Sequence, residues 1–354
     1  MAGGTGGHVF PALALARLLR ERSIEVVWLG THRGLEARIV PAERFAIEWL
    51  SVGGLRGKGL LTLLAAPLRL GVALAQALRV MWRRRPSVVV GLGGFVTGPG
   101  GIAAWLTRRP LIIHEQNAIA GFTNRCLAHL AREVLEAFPG SFGEKAHARA
   151  IGNPVREDIS RSRPPAARFA ERAGAIRLLV VGGSQGAVRL NTMVPMALAA
   201  LPKTLHVDVR HQSGARWQDT AERAYATAGV RAEVMPFIED MAAAYAWADL
   251  VICRAGALTI SELAAVGVGA ILVPFPAAVD DHQTANARFF VGAGAGVLID
   301  DRDLTPGRLS GELARLCAGR ELLLALAEKA RALARPGAAL DLATACLEHM
   351  ERAA

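Results

Sequence analysis

Two glycine-rich runs in this chain could each hold a phosphate: Gly3-Gly4-Thr5-Gly6-Gly7-His8 and Gly182-Gly183-Ser184-Gln185-Gly186-Ala187. Each leads into a helix-like stretch, and the second follows the apolar run Leu178–Val181. Backbone N–H groups in such a turn, with the positive end of a helix dipole behind them, favour an anion. His8 closes the first run. An imidazole beside a phosphate-type turn, with an ordinary pKa near neutrality, suits a general base. A lone histidine is more often structural, and only its place after the glycines tilts the reading toward chemistry. Further on, Arg254-Ala-Gly-Ala-Leu-Thr259-Ile-Ser-Glu262 follows the apolar run Leu250–Cys253. Thr259 and Glu262 have the spacing of a capping box. The same helix start would offer amides to a diphosphate and the Glu262 carboxylate to ribose hydroxyls. His114-Glu115-Gln116-Asn117 and Asp280-Asp281-His282-Gln283 are further polar clusters set after apolar runs.

Several familiar chemistries fail on spacing. Read as G-x-G-x-x-G from Gly4 and Gly6, the first run puts Val9 in the last slot. No acidic residue ends the next strand at Gly30-Thr31, so a nicotinamide cofactor is not expected. Gly98-Pro99-Gly100 with Ala103 matches a looser form but follows Thr97 rather than a strand. Gly57-Lys58 lacks the first glycine of a P-loop, Val52 standing in its place. His114-Glu115 lacks the second histidine of a zinc-protease helix, because Ala118 occupies that position. For Asp280–Gln283, contact with sugar hydroxyls is a more economical reading than metal binding. Tight turns would explain isolated glycines, but dense clusters such as Gly91–Gly101 argue for more.

These groups need a scaffold. Pro11–Arg22 carries Leu13, Leu15, Leu18 and Leu19 at helical spacing, while Glu25–Gly30, Ser87–Gly91, Pro110–His114 and Glu133–Glu136 are short and strand-like. The second half repeats the layout with Arg177–Gly182, His206–His211, Ala232–Met235, Leu250–Cys253 and Ala270–Val273. Alternating strands and helices predict parallel sheets in two α/β domains, expected to face each other across a cleft. Polar clusters at carboxyl ends of parallel strands are where ligands bind. Asn153-Pro154-Val155-Arg156, leading to Pro164-Pro165, marks the boundary. Residues 1–156 are expected to form the first domain, rejoined by a C-terminal helix at about 336–354, and residues 157–335 the second. Only Met1-Ala2 precede Gly3. The strand that should feed the first loop is therefore expected to be missing, with the true start upstream.

A chain of 354 residues can bury two cores, and its 52% hydrophobic and 20% charged content excludes a disordered protein. The net charge of +10 fits nucleic acid, an anionic membrane surface or phosphate-rich substrates. An aromatic content of 5% and the lack of any Lys/Arg-Gly-aromatic run weaken the nucleic-acid option. Cys126, Cys253, Cys317 and Cys346 form no C-x-x-C pair and read as reduced core residues. Leu60–Trp82 is largely apolar but contains Pro67, Arg69, Gln76 and Arg79. Arg69, Gln76, Arg79 and Arg83 fall on one helical face, so Leu60–Arg85 reads as an amphipathic helix, not a membrane span. Its basic face is either solvated or held at an anionic bilayer, where each basic residue contributes about 1 kcal/mol. Lys58, Arg69, Arg79 and Arg83-Arg84-Arg85 are the candidates.

Taken in order, Gly-Gly-Thr-Gly-Gly-His, His-Glu-Gln-Asn, Gly-Asn-Pro-Val-Arg, Gly-Gly-Ser-Gln-Gly-Ala and Arg-x-Gly-Ala-Leu-Thr resemble the MurG family over essentially the whole chain. These are bacterial N-acetylglucosaminyltransferases that make lipid II for peptidoglycan. The resemblance implies a GT-B fold of two Rossmann-like domains, the C-terminal one binding UDP-GlcNAc and the N-terminal one the acceptor, lipid I. It implies inverting transfer to the C4 hydroxyl of the muramyl sugar, by a peripheral enzyme on the cytoplasmic face of the inner membrane. Ile238 would contact uracil through its backbone and Glu262 the ribose. Ser184, Leu258 and Thr259 would surround the diphosphate, with Ala257, Ile260 and Ser261 beside them and Arg156 and Arg254 nearby. Asn117, His282 and Gln283 would bind the transferred sugar. Thr5, Gly6, Gly7 and the Gly98–Gly101 loop would face phosphates, and His8 would be the base. Fixed dipoles would serve the departing UDP, so neither metal nor cofactor is expected. A GT-B enzyme acting on another lipid, such as diacylglycerol, and a non-catalytic membrane- or nucleic-acid-binding protein are the competing readings.

Overall fold

The computed structural model describes residues 1–53, 66–183, 186–276 and 281–352, the side chain of Lys145 excepted. The chain divides into two compact units, Met1–Val155 with Arg335–Ala354, and Arg156–Ala334.

In the first unit β1 (Val27–Gly30) pairs in parallel with β2 (Ala46–Trp49). A separate parallel sheet runs β3 (Val89–Gly91), β4 (Leu111–Glu115), β5 (Glu133–Glu136), β6 (Arg149–Ala150). Met1 lies alongside β3: its amino group donates to Val90 O at 2.7 Å, and Leu92 N donates to Met1 O at 2.9 Å. From the other side Trp28 Nε1 donates to Ala2 O at 2.8 Å. The glycine loop is thereby fixed where it enters helix Gly6–Glu21. That helix buries Val9, Leu13 and Ala16 in a cluster with Ile112, Leu135 and four residues of helix Ala338–Glu351, namely Leu342, Ala343, Ala345 and Cys346.

The second unit has one six-stranded parallel sheet in the order β12-β11-β10-β7-β8-β9. These strands are β7 (Ile176–Val181), β8 (Val207–Gln212), β9 (Glu233–Met235), β10 (Leu250–Cys253), β11 (Gly269–Leu272) and β12 (Gly296–Leu298). Chain order reverses between β7 and β10, so their loops leave on opposite sides and open a crevice at their carboxyl ends. A sheet covered on both faces explains the unbroken apolar runs. Leu178, Val180, Leu250, Ile252 and Ile271 share one core with Leu190, Val194, Leu309, Leu313 and Leu323 from the flanking helices.

The structure corrects several expectations. Gly98–Gly101 is no loop but lies within helix Thr97–Leu106; a Cβ on Gly101 would stand 2.7 Å from Leu127 Cδ1. These glycines let the helix pack closely. Cys126 is exposed, on a seven-residue helix that buries only Asn124 and Leu127. Helix Ala66–Arg84 packs through Ala73, Ala77 and Met81, while residues 60–65, like Gly57 and Lys58, lie outside the described residues. Its basic face is divided. Gln76 bonds Ser51, and Arg83 and Arg84 pair with Glu48, whereas Arg69 and Arg79 are exposed.

Beneath the loops of the second unit lies a buried polar chain. His211 Nδ1 is 2.9 Å from Tyr225 Oη, its Nε2 is 3.0 Å from Asn191 Oδ1, and Asn191 Nδ2 donates to Ser213 O at 3.1 Å. With the Asn191 amide donating to Ser213, its oxygen accepts from Nε2–H and leaves Nδ1 to accept from tyrosine. Both ring nitrogens are then used by the neutral form, and burial pulls the His211 pKa down to about 3. The unfolded chain, titrating near 6.5, binds more protons between these values. Unfolding free energy should accordingly fall by several kcal/mol, roughly, as pH drops from about 6.5 toward 3. Urea unfolding of His211→Gln across that range should show a shallower loss. An equally steep loss in the variant removes His211 as the cause.

Candidate active site

Helix Ala257–Val266 follows β10 through Arg254-Ala255-Gly256. Its N-cap is Gly256, which has no side chain to accept from the first turn. Thr259 and Glu262 form no capping box, because the helix starts two residues before Thr259. The first backbone N–H of this helix to find an acceptor is Ile260, bonding Gly256 O at 3.0 Å. Among the described residues nothing accepts from Ala257, Leu258 or Thr259, so three aligned amides remain at the positive end of the dipole. Ala257 and Ile260 turn their side chains into the core, and Ser261 Oγ donates to Ala257 O at 3.0 Å.

Glu262 sits one turn along. Tyr245 Oη donates to its Oε2 at 3.2 Å, and Arg156 Nη2 lies 3.9 Å from Oε1. Tyr245 is fully buried, so its hydroxyl fixes the carboxylate. Burial raises the Glu262 pKa to about 7 against the pull of Arg156 and the tyrosine bond. The group is a mostly buried acceptor with lone pairs to spare. Across the crevice, Gln212 organises two loops at once. Its Oε1 accepts from Gly183 N at 2.9 Å, and its Nε2 donates to Gly183 O and Pro236 O, both at 3.1 Å. Gly183 and Gly186 both have positive φ, and a Cβ at Gly186 would meet the Ser213 carbonyl. The turn therefore needs glycine there. Ser184 lies outside the described residues. After Pro236, Phe237 is exposed and Ile238 buried, and no described group bonds the Ile238 N–H or C=O.

Arg254, expected among the ligand groups, is instead bound within its own unit. It donates to Val273 O and Pro274 O at 3.1 Å and to Asp301 at 2.6 Å, which anchors the ends of β10 and β11. Gln283 Oε1 accepts from Ala255 N at 3.2 Å and Phe275 N at 2.9 Å, leaving its amide NH₂ as a donor. His282 opens helix His282–Gly292, and its buried Nδ1 has no partner among the described residues. Asp281 holds Thr284 Oγ1 at 2.6 Å with φ 54°; Asp280 is not described.

In the first unit the corresponding turn is partly filled from within. Glu36, fully buried, accepts from Gly4 N at 2.9 Å, Thr31 N at 3.0 Å and Thr31 Oγ1 at 2.8 Å. Side chains at Gly3, Gly30 or Gly34 would strike it. Thr5 is the N-cap of helix Gly6–Glu21, without a side-chain cap bond, and its Oγ1 is 3.4 Å from His8 Nδ1. The His8 ring lies against Gly93, where a Cβ would come within 2.6 Å of Cδ2. Gly94 crosses the Gly3 backbone so closely that only glycine fits. His114 Nε2 donates to Gly152 O at 2.9 Å, and its Nδ1 accepts from Gln116 at 3.0 Å. Burial lowers the His114 pKa. Glu115 accepts from Asn117 N and Nδ2, Gly121 N and Asn124 Nδ2, so this strand-end cluster shapes a loop around Asn117.

Glu36, Gln212, Tyr245 and Asp301 are the supporting residues that sequence reasoning passed over. Glu36 gave the best signal: an acidic residue beside Gly34, shortly after an apolar run that ends at Gly30-Thr31.

The sequence matches the Glycosyltransferase family 28 N-terminal domain over residues 1–136 and the C-terminal domain of the same family over 177–342. A Nitrosococcus oceani protein named UDP-N-acetylglucosamine--N-acetylmuramyl-(pentapeptide) pyrophosphoryl-undecaprenol N-acetylglucosamine transferase is 58% identical over 98% of this chain and 97% of its own. The Alkalilimnicola ehrlichii protein of that name is 59% identical over the same shares. Crystalline Acinetobacter baumannii MurG superposes with a TM-score of 0.88 at 41% identity, covering 98% of each chain. The calicheamicin glycosyltransferase CalG4, 18% identical with a TM-score of 0.67 and covering 100% of this chain and 98% of its own, shares the fold. Two parallel α/β units of this kind define a GT-B glycosyltransferase. The chain belongs to the MurG family.

Glu36→Ala, which strands two backbone donors and a hydroxyl, should lower unfolding free energy by about 2–4 kcal/mol. A urea midpoint equal to the parent's would contradict the clamp.

Proposed function

We propose that this chain moves N-acetylglucosamine from UDP-GlcNAc to the C4 hydroxyl of the muramyl sugar of lipid I, inverting the anomeric centre and forming lipid II. The observation that carries the reading is the trio of unclaimed amides at Ala257–Thr259 with Glu262 fixed a turn away. The names of relatives more than half identical over nearly the full length support the same substrates.

The donor's uracil would lie on the free Ile238 backbone, its ribose hydroxyls would donate to Glu262, and its diphosphate would meet the Ala257–Thr259 amides and Ser184. His282 and Gln283 would contact the sugar of the donor, as would Asn117, while Arg254 acts by anchoring the crevice wall and Arg156 by balancing Glu262. An inverting transfer needs in-line attack, a base on the nucleophile and stabilisation of departing UDP. Fixed amides supply the last without reorganising. The acceptor phosphates would meet Thr5, Gly6 and Gly7. His8 would take the proton from the C4 hydroxyl as oxygen attacks the anomeric carbon and the bond to UDP breaks. Association with the cytoplasmic face of the membrane would come through helix Ala66–Arg84 and the Leu60–Arg85 region, where Leu68 and Trp82 are exposed. Among the described residues no helix is long and apolar enough to cross a bilayer.

His8→Ala should lower turnover by roughly 10²–10⁴-fold, and unchanged turnover would remove His8 from the base role. Ribose hydroxyls donate best to an ionised carboxylate. With the Glu262 pKa at about 7, UDP-GlcNAc affinity should hold above that pH and weaken by about tenfold per unit well below it. Calorimetry on Glu262→Gln should find weaker binding with that slope gone. An unchanged slope would take the ribose from Glu262.

A further inference from the structure

The two glycine turns correspond at one residue and differ in charge there. Gly4 and Gly183 are each the second glycine of their run, followed by Thr5 and Ser184. Both have positive φ, 91° and 77°. Each donates its N–H to a buried side-chain oxygen at 2.9 Å, Glu36 Oε2 in the first unit and Gln212 Oε1 in the second. The two partners have nearly the same size and reach, yet one is an acid and the other an amide.

The bonding of Glu36 is that of a charged group. Its other oxygen accepts from Thr31 N at 3.0 Å and Thr31 Oγ1 at 2.8 Å, so a backbone N–H meets each oxygen, the arrangement of an ionised carboxylate. Among the described residues no arginine, lysine or histidine pairs with it. A fully buried charge is weakly screened and acts on any anion that stands at the adjoining helix start. Gln212 closes its own turn, donating from Nε2 to Gly183 O, and adds no charge. Closing such a turn therefore does not require an acid. A carboxylate behind a helix start opposes the attraction of that start for anions.

We propose that Glu36 is a specificity-determining residue of the acceptor turn, excluding phosphates with a free end, such as the product UDP, and admitting the doubly esterified pyrophosphate of a sugar-lipid. This deepens the functional reading above and rests on it. A pyrophosphate esterified at both ends carries two negative charges, whereas a terminal phosphate gains another through a second ionisation at about pH 6. At the first turn that added charge faces the carboxylate. In the second unit the same charge develops on UDP as the bond to the anomeric carbon breaks and its electron pair stays on the diphosphate. There the group behind the turn is neutral. UDP-GlcNAc is also esterified at both ends, so base and ribose contacts, not Glu36, decide where it binds.

The test measures competition against a short-chain, water-soluble lipid I at saturating UDP-GlcNAc in metal-free buffer. The competitors are inorganic pyrophosphate and its symmetrical dimethyl ester, at a pH where the terminal phosphate is ionised. For the wild type the ester should compete about tenfold more strongly. Glu36→Gln should abolish or reverse that preference, through tighter binding of pyrophosphate. Thr31→Val, which removes one bond of the clamp and keeps the charge, should retain it. An unchanged preference in Glu36→Gln overturns the proposal. So does an equal change in Thr31→Val, which would trace the effect to loosened packing. Should Glu36→Gln not fold, the wild type decides: the preference should fade below about pH 6, where the terminal phosphate takes up its proton, and a preference that persists there overturns the proposal. Transfer to lipid I with no preference for the ester overturns this proposal alone. A wild type that transfers nothing to lipid I overturns the functional reading with it.

Discussion

A helix whose first amides find no acceptor among the described residues is the constraint around which the second unit is organised. Three N–H groups at the start of Ala257–Val266 point along a dipole with nothing among the described residues to satisfy them. Water can meet them, but an anion does so with charge, and no rearrangement is required when one arrives. The surrounding structure keeps that condition. Gly256 offers no cap, Arg254 is drawn off to Asp301 and two carbonyls, and Tyr245 holds Glu262 beside the amides.

The first unit gives a physical contrast. Its glycine turn has the same general form, yet Glu36 already accepts from Gly4 N, so part of the nest is occupied by the protein. What stays open among the described residues is the first turn of the helix, where the Gly6 and Gly7 N–H groups find no acceptor, while His8 N already bonds Thr5 O at 3.2 Å. One turn type thus serves two ends: in one unit it is closed partly by an internal carboxylate, and in the other Gln212 fixes it beside an open helix start. Buried polar groups recur throughout as scaffolding. Arg168 illustrates it, bonding Tyr245 O, Ala246 O, Val266 O and Gly267 O and so tying together the C-terminal ends of two helices that carry the site.

Much of this was legible in the sequence, and the gaps have reasons. The longer apolar strands stood out because both faces of each sheet are covered. The strands β2, β6 and β12 did not, being two to four residues long, with Glu48 interrupting the first and Arg149 half of the second. The capping-box spacing at Thr259 and Glu262 was real but idle, since helix starts are set by where the preceding strand ends. Gly98–Gly101 looked like a loop because glycine is a poor helix former; close packing on Leu127 overrides that preference. Residues acting through long-range bonds, such as Gln212 and Tyr245, leave no local pattern. Their partners are 17 to 29 positions away in the chain.

The account stands or falls on where the donor's diphosphate is held. A crystal structure of the chain with UDP tests it most directly. The phosphates should lie within hydrogen-bond distance of the Leu258 and Thr259 amides, with the ribose on Glu262 and the base along Ile238. A nucleotide seated instead on the Gly3–Gly7 turn, or bound with those amides still empty, would contradict it.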